Sequence, residues 1–278
     1  MIRVHPRASM ARVFLYLALA LSALAADPRF VILGDRTGEA QPGVFEHVLK
    51  EVDAEHPDFV VTVGDLIQGG HDDTAEAEWQ AVDQILKPFK YPLYLAPGNH
   101  DIWSAASERL FREHSGHPPH YGFDRGPIHF TVLDNSRSDA LSNSEIAFLE
   151  QDLRDHAKSP VKFVLMHRPS WLLPVTLRQP DFPLHRLAQK YGVKYVIVGH
   201  VHQLMNAELE GITYLAMPSS GGHLRASGKY EDGWFFGHGL VEVSGNDVHF
   251  EIREAKAPHG EGRVSKPAEW TLFGRGGR

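Results

Sequence analysis

The chain has 278 residues, of which 42% are hydrophobic and 23% charged, with a formal charge of -7 and no cysteine. This is the composition of an ordinary globular protein able to bury a full core, and it excludes a disordered chain or a disulfide scaffold. The acidic balance argues against general nucleic-acid binding and against docking on anionic membranes, because either needs a basic face.

Residues 1 to 25 read as a secretory signal peptide. "MIRVHPRASMAR" supplies three arginines and no acid, "VFLYLALALSAL" a short apolar core, and "ALA" at 23 to 25 the small residues of a cleavage site. An uncleaved membrane anchor is the alternative, but the apolar run is shorter than the roughly 20 residues that span a bilayer. The reading therefore predicts an exported protein, periplasmic or extracellular, with no transmembrane segment after cleavage. Removing three positive and no negative charges makes the mature protein still more acidic.

From residue 26 onward, apolar strands alternate with amphipathic helices. "RFVILGDRTG" (29 to 38), "PDFVVTVGD" (57 to 65), "YPLYLAPGNHD" (91 to 101), "VKFVLMH" (161 to 167) and "VKYVIVGHVH" (193 to 202) each run into polar, metal-capable residues. Between them, "PGVFEHVLKEVDAEH", "TAEAEWQAVDQILKPF", "SNSEIAFLEQDLRDHAK" and "FPLHRLAQKYG" read as helices, with Ser142 and Glu145 placed to form a capping box. Strand and helix in alternation predict an α/β fold with a largely parallel sheet. Residues 119 to 135 and 211 to 254 carry short turns instead of helices, which predicts antiparallel additions, including a hairpin through Ser244 to Asp247. The Lys-, Pro-, Gly- and Arg-rich stretch 256 to 278 reads as a loose surface extension. The domain reading is thus a signal peptide (1 to 25), one main domain (26 to 255) and a C-terminal extension (256 to 278).

If the five strands are parallel neighbours, their carboxyl ends bring Asp35, Asp65, Asn99, His100, Asp101, His167, His200 and His202 to one edge, where open α/β sheets bind ligands. Mixed oxygen and nitrogen donors suit Mn, Fe or Zn, where an all-oxygen set would point to Mg or Ca. One carboxylate bridging two such ions would hold them about 3.5 to 4 Å apart, the spacing that clamps both oxygens of an in-line phosphoryl displacement.

"GD" at 34 to 35, "GDLIQGG" at 64 to 70, "GNHD" at 98 to 101, "MH" at 166 to 167 and "GHVH" at 199 to 202, in that order, resemble the calcineurin-like metallophosphoesterases. The resemblance spans residues 29 to 220. It implies a single-domain, four-layer α/β/β/α sandwich with mixed sheets, a binuclear centre of two divalent transition-metal ions, and a metal-bridging hydroxide that attacks the phosphorus of a phosphomono- or phosphodiester. By the same resemblance Asp65 bridges both ions, Asn99, His167 and His200 complete the second site, and Asp35 and His202 serve the first. His100 would face the leaving oxygen as general acid. Asp101 is read in two ways, as the carboxylate that holds the His100 ring in its tautomer or as the N-cap of the helix that follows.

The chain departs from the family pattern in one place. Where many members read Asp-X-His, this sequence reads Asp35-Arg36-Thr37, so the first site lacks one nitrogen ligand. Arg36 is a candidate phosphate contact, with a salt bridge to Glu39 as the alternative. Trp103, Trp171, Trp234 and the "SSGGH" turn at 219 to 223 are further candidates near the pocket, whereas His129 reads as structural. Two other functions stay open: a non-catalytic secreted binding protein that keeps the fold, and a metal-dependent hydrolase of non-phosphate esters or amides.

The N-terminal reading predicts that protein recovered after export begins near Ala26. Mass spectrometry checks this, and soluble exported material retaining Met1 would contradict it.

Overall fold

The computed structural model describes residues 27–276; the expected signal peptide, 1 to 25, lies outside the described residues. Alternation along the first strand, β1 (Arg29–Leu33), sets the layers: Phe30 and Ile32 pack to one side, Val31 and Leu33 to the other, and all four are buried. A strand buried on both faces needs a cover on each.

The chain supplies those covers in order. After β1 come α1 (Val44–Glu55), β2 (Phe59–Thr62), α2 (Asp72–Leu86), β3 (Leu93–Leu95) and α3 (Ala105–Ser115). The second half runs through β4 (Tyr121–Arg125), β5 (Ile128–Val132), α4 (Asn143–Asp155), β6 (Val161–Leu165), α5 (Leu172–Thr176), α6 (Pro183–Tyr191), β7 (Tyr195–Val198), β8 (Met205–Leu209) and β9 (Ile212–Ala216). It closes with β10 (Gly237–Ser244), β11 (Asp247–Glu254) and three two-residue strands, β12 (Val264–Ser265), β13 (Trp270–Thr271) and β14 (Gly274–Arg275). No helix among the described residues is long and apolar enough to cross a membrane.

Two six-stranded mixed sheets result, ordered β12-β11-β10-β1-β2-β3 and β4-β5-β6-β7-β9-β8. Their facing sides share one core, in which the Phe30 and Phe59 rings stack at 4.9 Å and Phe130 and Phe163 meet Phe30 edge-on at 5.2 and 5.5 Å. A second core lies between the first sheet and α1 to α3, and a third between the second sheet and α4 to α6. This is the α/β/β/α sandwich. The five strands with polar ends are therefore not all neighbours: β1, β2 and β3 run parallel in one sheet, β6 and β7 in the other. The antiparallel pairs β4–β5 and β10–β11 occur where short turns predict them, with Ser244 paired to Asp247 at the last hairpin, and β8–β9 is a further antiparallel pair whose first strand precedes the predicted stretch.

At the head of α4 the Ser142 side chain accepts a hydrogen bond from the Glu145 N–H at 3.2 Å, but only half of the capping box forms. The Glu145 carboxylate turns instead to the Asp134 N–H and to His120.

The stretch beyond residue 255 corrects the expectation of a loose extension. β12 adds to β11 through Ile252–Ser265 and Arg253–Val264, and Trp270 is buried against Tyr230 and Phe235, its indole N–H donating to Ser265 Oγ at 2.9 Å. Composition hid this, because one tryptophan among Lys, Pro and Gly anchors the whole segment. Trp270→Ala is expected to cost about 3–5 kcal/mol of stability. An unchanged midpoint in chemical denaturation would contradict the anchoring role.

Candidate metal centre

Beyond the ends of β6 and β7, His167 is fixed by its outer nitrogen. Nδ1 lies 2.8 Å from the Val63 carbonyl, which can only accept, so Nδ1 carries the proton and Nε2 presents a lone pair. Around that Nε2 stand Asp65 Oδ2 at 3.1 Å, Asn99 Oδ1 at 3.0 Å and His200 Nδ1 at 3.2 Å. Asp65 Oδ2, Asn99 Oδ1 and His167 Nε2 at this spacing call for a positive charge among them, a proton on Nε2 or a metal ion. His202 repeats the pattern: Nδ1 donates to the His223 carbonyl at 2.7 Å, and Nε2 faces Asp35 Oδ2 at 3.1 Å. Asp35 also accepts the His200 backbone N–H, at 2.9 Å to Oδ2, which ties the first strand's end to the "GHVH" turn.

Asp35, Asp65, His167 and His202 have no exposed surface, and Asp65 Oδ2 and His202 Nε2 are buried without a hydrogen-bond donor. Such atoms are costly unless something satisfies them. Charge points the same way. Burial pushes the Asp65 carboxyl up, but the His167 ring outweighs it and the net shift is downward. Burial lowers the basicity of His167, and Asp65 more than reverses it. Burial and the neighbouring His167 and Arg168 push His200 down to about 4, leaving it a neutral ligand near neutral pH. The pocket is built for positive charge, and its residues fit divalent metal binding.

The backbone is bent to serve these side chains. Asp65, His200 and His202 have φ of 60°, 70° and 60°, a left-handed region that non-glycine residues adopt reluctantly. Neighbouring glycines make the room: a Cβ on Gly98 would sit 2.1 Å from Asp65 Oδ1, and one on Gly199 2.2 Å from Asp35 Oδ1.

Of the residues singled out by sequence, Asp35, Asp65, Asn99, His167, His200 and His202 come together as expected. His100 joins them through its backbone N–H, which donates to Asp65 Oδ1 at 2.9 Å, while its ring Nδ1 donates to the Gln68 carbonyl. Asp101 takes neither expected role. Its carboxylate accepts N–H bonds from Asp65 and Gly98 at 2.7 and 2.8 Å through Oδ2, and from Leu66 and Ile67 at 2.8 and 3.2 Å through Oδ1. The carbonyl of Gln68 orients the His100 ring, and Ser104 caps α3. Burial and the Asp65 charge raise the Asp101 carboxyl to about 6.

Arg36 is not a phosphate contact in this geometry. Its guanidinium donates to the Leu66 carbonyl at 2.6 Å and lies over the Phe45 ring on the helix side of the sheet. No bond to Glu39 forms among the described residues. The Thr37 hydroxyl donates to Gln68 Oε1 at 2.7 Å, so residue 37 braces the Asp65 loop. Trp171 belongs to the outer core against Tyr214, and Trp103 packs on the α1 to α3 core. The "SSGGH" turn does reach the site through its backbone: Ser220 and Gly222 N–H groups donate to the Asp35 carbonyl, and His223 supplies the carbonyl under His202.

Two contributors were not singled out by sequence, Asn135 outside the quoted motifs and Gln68 inside "GDLIQGG". Asn135 Oδ1 accepts the N–H groups of His167 and Arg168, both at 3.0 Å, and Gln68 braces the loop from both of its ends. The "LDN" that follows β5 is the signal that would have found Asn135, as a sixth strand running into a polar end.

Fold and donor set together define a metal-binding protein of two packed sheets. The sequence profile of the calcineurin-like phosphoesterases matches residues 28–204, and the chain belongs to that family, whose members hydrolyse phosphoric ester bonds. It is 29% identical over 207 residues to the 3',5'-cyclic adenosine monophosphate phosphodiesterase CpdA of Escherichia coli K12, covering 71% of this chain and 72% of that one. Over 184 residues it is 29% identical to the glycerophosphodiester phosphodiesterase GpdQ of Enterobacter lignolyticus, covering 60% and 63%. The chain thus spans between three-fifths and three-quarters of these relatives' lengths. Among solved structures, the purple acid phosphatase PPD1 of yellow lupin has the same fold, with a TM-score of 0.66 at 19% identity, over 87% of this chain and 53% of that one.

Asp101 offers a sharp test of positioning against proton transfer. Asp101→Asn places an amide N–H₂ against backbone donors, at about 1–3 kcal/mol for each N–H left unpaired. Metal affinity and unfolding free energy should fall together. A shifted pH–rate profile with unchanged stability and metal content would instead mean that Asp101 acts on the His100 proton.

Proposed function

We propose that this protein is an exported phosphodiesterase that hydrolyses a small phosphodiester at a binuclear centre with unequal sites. The observation that carries the reading is the convergence of Asp65 Oδ2, Asn99 Oδ1, His167 Nε2 and His200 Nδ1, with Asp35 and His202 completing a second pocket beside it. Asp65, Asn99, His167 and His200 would hold one Mn, Fe or Zn ion. Asp35, His202 and the shared Asp65 would hold the other, more weakly, since the Thr37 hydroxyl is spent on Gln68. Bound there, divalent ions supply Lewis acidity, which neutralises phosphoryl charge and makes water a nucleophile near neutral pH.

The chain's own part is orientation and proton transfer. With Nδ1 donating to the Gln68 carbonyl, His100 is left with Nε2 as the atom that, when protonated, delivers a proton to the departing alkoxide. Beside His200 opens a cleft of about 490 Å³ lined by Asp139, Arg168, Ser170, Leu172, Leu173 and Thr176, room enough for an alcohol arm of a small diester. Arg168 is held there by Asp139 at 2.7 Å and by the Ser136 carbonyl at 3.2 Å. The two phosphodiesterase relatives support a diester over a monoester. The N-terminal sequence, with its arginines and short apolar core, supports export.

The test is turnover of bis(p-nitrophenyl) phosphate, p-nitrophenyl phosphate and a cyclic nucleotide by Mn-loaded protein. Diester hydrolysis should exceed monoester hydrolysis and vanish on chelation. His100→Ala should keep its metal and lose about 10²- to 10⁴-fold in rate on alkyl diesters, with a smaller loss on nitrophenyl esters, whose leaving group needs no proton. Absence of turnover on every ester would favour the non-catalytic alternative, and equal losses across leaving groups would remove the acid role.

A further inference from the structure

A second cluster of histidines and carboxylates lies at the other end of the β4-to-β8 sheet. His129 stands near the start of β5, level with Lys162 near the start of β6, whereas His167 follows the far end of that strand. Asp124 faces His129 across the β4–β5 pair, and His156 caps the last turn of α4. The ligand atoms of Asp124, His129 and His156 all lie within 4.8 Å of one another.

His129 lies between two carboxylates, and the His156 tautomer is fixed from behind. His129 Nε2 donates to Asp152 Oδ2 at 2.9 Å, an oxygen that also accepts from the Thr131 hydroxyl at 2.5 Å. His156 Nδ1 donates to the Asp152 carbonyl at 2.8 Å. The remaining nitrogens, Nδ1 of His129 and Nε2 of His156, both turn to the Asp124 carboxylate, at 2.8 Å to Oδ1 and 3.8 Å to Oδ2. The two rings stack at 3.8 Å, 11° from parallel, so a proton on each would set two positive charges face to face. Once one ring turns out of this stack, so that both in-plane lone pairs converge, a single cation joins the two rings and Asp124. Imidazoles backed by a carboxylate and a carbonyl are the arrangement by which proteins orient histidine toward metal.

We propose that Asp124, His129 and His156 form a metal site separate from the phosphoesterase centre. Two nitrogens and one carboxylate select a borderline divalent ion such as zinc over magnesium or calcium. Asp124 and His156 are partly exposed, which leaves water access to the remaining positions, while His129 is fully buried. The ion would tie the edge hairpin β4–β5 to the end of α4, a cross-link between distant segments in a chain that has no cysteine to make one.

The experiment uses the full chain carrying Asp65→Asn, which removes the bridging ligand of the phosphoesterase centre, stripped with chelator and titrated with zinc against a chromophoric competitor. One zinc per chain should remain, and adding Asp124→Asn or His156→Ala should weaken it at least about tenfold. Copper(II) bound to the same protein should show hyperfine coupling to two imidazole nitrogens in its electron paramagnetic resonance spectrum, reduced to one by His156→Ala. Both secondary substitutions are at accessible side chains, and in the otherwise unaltered protein they should leave phosphoester turnover as it was, which verifies the fold. A zinc isotherm indifferent to both substitutions, or no zinc bound in Asp65→Asn, would overturn the proposal and leave a proton on His129 as the occupant.

Discussion

One carboxylate governs the molecule's working edge. Asp65 must turn Oδ2 toward His167 and Oδ1 toward the His100 N–H while its own backbone sits at φ 60°, and it can do so because Asp101 gathers the N–H groups of residues 65, 66, 67 and 98 onto two oxygens. Three ligand residues in the left-handed region cost about 1–3 kcal/mol each. Together that is comparable with the whole net stability of a typical domain, about 5–15 kcal/mol. Without bonds such as those of Asp101 and Asn135, the loops would relax and the ligands would part.

The sandwich makes this convergence possible. Neither sheet alone carries a full donor set: the first supplies Asp35, Asp65 and Asn99, the second His167, His200 and His202. The phenylalanine core between the sheets fixes their relative position, so packing far from the centre determines whether oxygen and nitrogen ligands meet. The His200 N–H to Asp35 and the His167 Nδ1 to Val63 bonds are two of the direct ties between the two halves.

Much of this is written in the sequence at short range. Apolar runs ending in Asp, Asn-His or His reveal both the strands and the ligands, since strand ends and donors are neighbours along the chain. What could not be read is whatever depends on a partner far away. Asp101 looks like a helix cap because Ser104, three residues on, is no stronger a signal. Arg36 looks like a phosphate clamp because nothing local shows the Leu66 carbonyl and the Phe45 ring waiting for it. Residues 256 to 276 look loose because their order rests on Trp270 meeting Tyr230 and Phe235, some forty positions earlier.

The central claim is that one oxygen-bearing side chain, Asp65, is shared by two ions. Electron paramagnetic resonance of the manganese-loaded protein tests it most directly. The account predicts the broadened spectrum of an exchange-coupled pair at full loading, and no coupled signal in Asp65→Ala. Two manganese ions giving only the sharp six-line spectrum of isolated centres in the unaltered protein would contradict it.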